Sequence, residues 1–245
     1  MNKNYSGIKF VLTLLFIYLM LFEFILPVNR VLPQPSQIIE SFVESWNVYD
    51  MFQSLASTTT VIYVSMLLAY LLILAVLKTG LNLFASFDFS AVRPIKYVPF
   101  LFPVLLFLFW FGASFWGELL FGFVFVSAML KLSAAEKMND IKKEYIDVAF
   151  NLGMSKQEVA KTVVHKILQK YLYRVLIAKH YLIWMIVLFY EFAEKGNGLG
   201  GIYYKALYYN DFVFLFVVAV ITTFLIWAGD KILLIIEEKY FNWEE

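Results

Sequence analysis

Few side chains in this sequence have the chemistry to act on another molecule. Cysteine is absent and there are only two histidines, which excludes disulfides, thiolate metal sites and a cysteine nucleophile. His165 and His180 have no ligand partner at useful spacing, so both are read as structural or interfacial, and no metal or other cofactor is expected. No G-x-x-x-x-G-K-[ST] segment occurs; the glycine cluster GNGLGG at Gly196 lacks the lysine that would reach a phosphate. It is read as a turn and not as a phosphate cradle, so this chain is not expected to hydrolyse ATP itself. Glu23 and Glu118 stand at the ends of apolar runs. Ionisable groups in such runs often mark a transport pathway, yet a carboxylate near a run's end also reaches water, and both readings stay open. No pair of ionisable groups recurs at helical spacing inside a run, so an intramembrane enzyme is not expected.

The elements that hold these residues follow from composition. The chain has 245 residues, 62% hydrophobic, 20% aromatic and 16% charged, with mean hydropathy +0.73. A soluble domain carries roughly 45–50% apolar and about 25% charged residues. The excess of Phe, Leu and Val needs a bilayer as solvent, which predicts an all-α membrane protein. The net charge of +1 gives no general attraction to nucleic acid. A span needs about 20 apolar residues, and six runs approach that length: 8–26, 55–77, 94–111, 118–130, 175–192 and 212–228. The third is short, and Pro99 and Pro103 are expected to kink it. Trp110 and Trp116, bracketing the hairpin between the third and fourth runs, suit an interface belt. With six spans both termini share one side, and of the 20 basic residues only Arg30, Lys195 and Lys205 fall on the other. The bias predicts cytoplasmic termini. Residues 1–245 are read as a single membrane domain, with no repeat or flexible linker dividing them.

The segment 131–174 between the fourth and fifth runs is too long for a plain connector. Asn139 and Asp140 can cap a helix in which Ile141, Tyr145, Val148 and Leu152 form one apolar stripe. Gly153 is placed to end that helix in the left-handed conformation. Ser155 and Glu158 then form a capping-box pattern for a second helix carrying Val159, Val163 and Ile167 toward the fifth run. Two amphipathic helices joined at a glycine suit either partner docking or a place in the lipid interface, with Lys142, Lys143 and Lys156 as rim charges or headgroup contacts. DNA reading is disfavoured, because the second helix runs directly into a membrane span and Glu158 dilutes its positive charge.

The segment EYIDVAFNLGMSKQEVAKTVV resembles the EAA loop of permease subunits of prokaryotic ABC importers, a pattern of Glu-Ala-Ala, a glycine, a later apolar position and Leu-Pro. Asp147, Val148 and Ala149 stand in the first three places, Gly153 in the glycine place and Val163 in the apolar one. His165 and Lys166 replace Leu-Pro, so the acid is shortened, one small residue is enlarged and the proline is lost. LPQPSQIIESF at Leu32, RPIKYVP followed by WFG from Arg93 to Gly112, GE at Gly117 and GNGLGGIYYKA at Gly196 resemble, in the same order, segments of the nitrate, sulfonate and taurine branch.

The resemblance implies a permease of the prokaryotic cytoplasmic membrane, acting as a dimer, with two ATPase subunits beneath it and an external substrate-binding protein. It implies ATPase coupling through Asp147, Val148, Ala149 and Gly153, with Tyr145 and Leu152 adding apolar surface. It also implies a small organic anion as substrate and a second copy of this chain as the other half of the pathway. An aromatic or thiamine-precursor-like nutrient is the alternative substrate. A secondary transporter would call for inverted repeats, which are not visible. A permease-derived scaffold that no longer transports would keep the spans and the docking loop.

Overall fold

The computed structural model describes residues 3–26, 32–79, 97, 99, 101–139, 141 and 143–241. The regular elements among them are helical throughout. α1 (Lys3–Leu19) runs on into a π-helical segment, Met20–Ile25, which contains Glu23. α2 (Pro35–Val48) begins on a proline, whose fixed φ and missing N–H suit the first helical position. α3 (Met51–Thr79) follows almost at once. The described chain continues with α4 (Leu101–Phe111) and α5 (Phe115–Asn139). α6 (Lys143–Asn151) leads to α7 (Lys156–Val159), which continues through a π segment, Ala160–Val164, into α8 (His165–Glu194). α9 (Gly198–Tyr208) and α10 (Phe212–Tyr240) complete the order.

Four stretches are long and apolar enough to cross a membrane: Met51–Lys78, Phe115–Met138, Lys161–Glu194 and Phe212–Tyr240. The first has 28 residues, about 42 Å at 1.5 Å per residue, against a hydrocarbon layer of about 30 Å. These four carry the second, fourth, fifth and sixth apolar runs. Their outward faces stay apolar, as at Leu67, Leu71, Phe224 and Trp227, while Ile62, Leu130, Leu168 and Trp184 are sealed in the core. That is the distribution a lipid solvent asks for. Small residues let the helices approach. A Cβ on Gly122 of α5 would meet Ser65 Oγ of α3 at 2.8 Å, and that hydroxyl donates to the Leu119 carbonyl at 3.2 Å.

The structure differs from the sequence reading in two places. The helix of the fourth run extends past Leu130: α5 continues to Asn139, so Asn139 ends that helix and does not cap the next one, and α6 starts at Lys143. The sequence boundary followed hydropathy, but no glycine or proline lies between Lys131 and Asn139 to stop the helix. In the third run, α4 spans only 11 residues, about 16 Å. Pro103 falls in its first turn, where no intrahelical N–H is missed, so it starts the helix instead of kinking it. Residues 94–96, 98 and 100 of that run lie outside the described residues, as do the proposed cap Asp140 and Lys142.

Polar contacts fasten the peripheral helices. Glu23 Oε2 accepts the Ser36 N–H at 3.2 Å, and Tyr18 donates to the Pro33 carbonyl at 2.6 Å, tying the first run to the start of α2. After α2, the Tyr49 ring stacks on Phe214 at 3.9 Å and its hydroxyl donates to Asp211 Oδ2 at 3.2 Å. Asp211 Oδ1 accepts the Phe214 N–H at 3.0 Å and so caps α10. Burial and, after it, the Asp211 charge push the Tyr49 hydroxyl up to about 12, which keeps it a donor at any ordinary pH.

Candidate functional site

The helix-turn-helix is built by local backbone chemistry. Gly153 has φ +82°, the Met154 N–H reaches the Ala149 carbonyl at 3.1 Å, and the Gly153 N–H reaches Phe150 at 2.9 Å. This pair of bonds is the Schellman closure, and the left-handed residue it needs is glycine at little cost. Two residues later the capping box forms. The Ser155 N–H donates to Glu158 Oε2 at 2.7 Å and the Glu158 N–H donates to Ser155 Oγ at 3.3 Å. The Ser155 backbone bond, then the Ser155 hydroxyl, hold the Glu158 carboxyl below its ordinary range.

α6 packs on α7 and on the π segment that follows it, with Ala149 and Val159 buried. The rest of its apolar surface is open. Tyr145, Val148 and Leu152 are 55%, 57% and 76% exposed, and Phe150, which the stripe at three- and four-residue spacing did not include, joins them at 41%. Asp147 is exposed beside them. A Cβ built on Gly153 would meet nothing within 4 Å, so the turn offers bare backbone at the edge of this surface. Five of the six residues singled out here therefore face outward, and Ala149 alone faces into the packing.

The opposite end of α8 is closed. Glu191 is fully buried: its Oε1 accepts the Thr58 hydroxyl at 2.6 Å and its Oε2 accepts the Gly200 N–H at 2.7 Å. Thr58 Oγ1 in turn accepts the Leu199 N–H at 2.9 Å. The glycine cluster makes this possible. A Cβ on Gly198 would overlap the Glu191 carboxyl, and one on Gly200 would overlap the Leu188 carbonyl. GNGLGG is thus the turn that the sequence suggested and also the first turn of α9, clamped onto α8. Glu118 on α5 is also buried, 3% exposed, and its Oε1 has no hydrogen-bond partner among the described residues. Glu23 is tied to α2 instead, so the two acids proposed for a pathway share no partner. Glu191 was not singled out from sequence, although an acid five residues before a glycine cluster was there as a signal.

His180 also acquires a setting that spacing did not reveal. Its Nδ1 lies 2.6 Å from Asp230 Oδ1, and Trp184 Nε1 donates to its Nε2 at 2.9 Å. Nε2 is therefore an acceptor and Nδ1 carries the proton. Gly229 lets α10 come this close, since a Cβ there would overlap Tyr63 Oη and approach the His180 ring. Among the described residues no three His, Cys, Asp or Glu side chains come together to hold a metal ion. A groove of about 530 Å³ between α3, α4 and α5 is lined by Leu68, Leu72, Phe111, Trp116, Leu119, Leu120 and Phe123; with so little polar lining it suits an acyl chain better than an oriented solute. In comparisons with protein-family models, curated proteins and solved structures, no match was found.

Proposed function

We propose that this chain is the membrane permease subunit of an ATP-driven importer, docking its ATPase through the α6–Gly153–α7 element. The observation that carries the reading is the open apolar face of α6 beside an unobstructed glycine turn. An exposed cluster of Tyr145, Val148, Phe150 and Leu152 is an unfilled contact surface, and large apolar side chains at the centre of such a patch supply most of the energy of docking. Two amphipathic turns held by a Schellman closure and a capping box present it rigidly, so little ordering entropy opposes binding.

The finer reading rests on the sequence. Six spans, cytoplasmic termini and a prokaryotic cytoplasmic membrane follow from the apolar runs, the lysine bias and the resemblance to ABC permeases. Two copies of the chain form the pathway, two ATPase subunits supply the energy, and an external binding protein delivers a small organic anion. Pull-down of the tagged protein from its native membrane, with mass spectrometry and an ATP hydrolysis assay, tests this. An ATPase with a phosphate-binding loop is expected with the wild type and lost in Gly153→Trp. A protein that arrives without any ATPase would overturn the reading.

A further inference from the structure

We propose that His180 is a proton-binding site: on taking up a second proton its ring exchanges Trp184 for Tyr63 as the partner of Nε2 while Asp230 holds Nδ1, so that one proton fastens α3, α8 and α10 together. The inference does not depend on what the chain transports or docks. Its ground is that partners for both charge states of the ring already stand at bonding distance.

The neutral state is fixed by an unambiguous donor. An indole N–H can only donate, and Trp184 Nε1 sits 2.9 Å from Nε2, so Nε2 bears no proton and the N–H at Nδ1 meets Asp230 Oδ1 at 2.6 Å. A third group is also in reach. Tyr63 Oη lies 3.3 Å from Nε2, with the two ring centroids 5.7 Å apart. The Nε2 lone pair is taken by the shorter Trp184 contact, which leaves the Tyr63 hydroxyl as the spare partner. Gly229 makes the arrangement possible, since a Cβ there would overlap Tyr63 Oη and stand 2.8 Å from the His180 ring.

A second proton goes to Nε2, because Nδ1 already carries one. Nε2 then becomes a donor, Trp184 has no lone pair to offer it, and the Tyr63 hydroxyl oxygen is the acceptor at hand. A charged ring in this core needs a countercharge, since the His180 side chain is 0% exposed, and Asp230 supplies it at Nδ1. The Asp230 side chain is 43% exposed, which gives the proton a way in. Other ionisable groups leave the pairing alone. Among the described residues the polar contacts of the ring are Trp184 of its own helix, Tyr63 of α3 and Asp230 of α10. Lys179 and Lys231, next to the pair in sequence, are exposed. α4 (LFPVLLFLFWF) has no ionisable side chain, and those of α5 and α9 are not partners of the ring.

The test is nitrogen-15 NMR of the full-length protein in detergent, labelled at the imidazole and indole nitrogens, with His165→Gln leaving His180 as the single histidine. At alkaline pH the ring is expected to carry its proton on Nδ1, with the Trp184 indole N–H, recognised by its absence in Trp184→Phe, shifted by its bond to Nε2. On acidification both ring nitrogens should become protonated, and the Trp184 signal should move at the same midpoint. Asp230→Asn keeps an acceptor for Nδ1 but removes the countercharge, and should lower that midpoint by about one pH unit or more; Tyr63→Phe should lower it by a smaller step. A histidine that only packs would not show this order. A neutral ring protonated on Nε2, a ring that stays neutral until the protein unfolds, or a midpoint unmoved by Asp230→Asn would overturn the proposal. Should Asp230→Asn not fold, Tyr63→Phe decides, and a midpoint unmoved there overturns it equally.

Discussion

The two ends of α8 solve opposite problems. At its C-terminal end every glycine in GLGG is pressed against a neighbour, and Glu191 spends both oxygens on Thr58 and Gly200. Beyond its N-terminal end, across α7, a Cβ on Gly153 would meet nothing within 4 Å, and Leu152 is 76% exposed. The first end is completed by its own chain, whereas the second keeps an apolar surface that none of the described residues covers. Substitutions at the closed end should therefore cost stability, and those at the open end should cost association.

The largest effect is expected at Glu191. Glu191→Ala strands the Thr58 hydroxyl and the Gly200 N–H, at about 1–3 kcal/mol for each buried group left unmade, and thermal unfolding in detergent should show a loss of several degrees. Gly200→Val forces side-chain atoms into the Leu188 carbonyl and should cost about 2 kcal/mol or more by overpacking; an unchanged melting temperature would mean that the clamp of α9 on α8 is not tight. Ser155→Ala removes half of the capping box at the open end and should cost about 1 kcal/mol, read as faster amide exchange in α7. Leu152→Asp should leave stability within about 0.5 kcal/mol, as exposed substitutions do, while abolishing capture of the ATPase proposed to dock there. If it instead unfolds the protein, the contrast between the ends collapses. The smallest effect concerns pH. The Glu158 carboxyl is held below its ordinary range by Ser155, so the cap's contribution is present above the ordinary glutamate range and is lost as pH falls through the lowered value. A carbon-13 titration of Glu158 should show that depressed midpoint, and Ser155→Ala should move it back up.

Legibility followed the range of the interactions. The Gly153 turn and the Ser155–Glu158 box were visible because each closes within a few residues, and the order of types alone encodes such closures. The four long helices were visible as apolar runs, though hydropathy drew their ends short where lysines begin on a helix that does not stop, as between Leu130 and Asn139. The Glu191 knot was not visible, because Thr58 lies 133 residues away from it in sequence. His180 likewise gave no sign of Asp230, 50 residues on. Glu118 stood out from the sequence as an acid at the end of an apolar run, but its burial did not.

The most direct test of docking uses the absence of cysteine from this chain. A single Leu152→Cys substitution carries a photoreactive crosslinker at a unique position, and the native membrane supplies the partner. The account predicts a crosslink to an ATP-hydrolysing subunit, weakened when ATP is trapped on the complex. Crosslinking to lipid alone would contradict it and place α6 in the membrane interface.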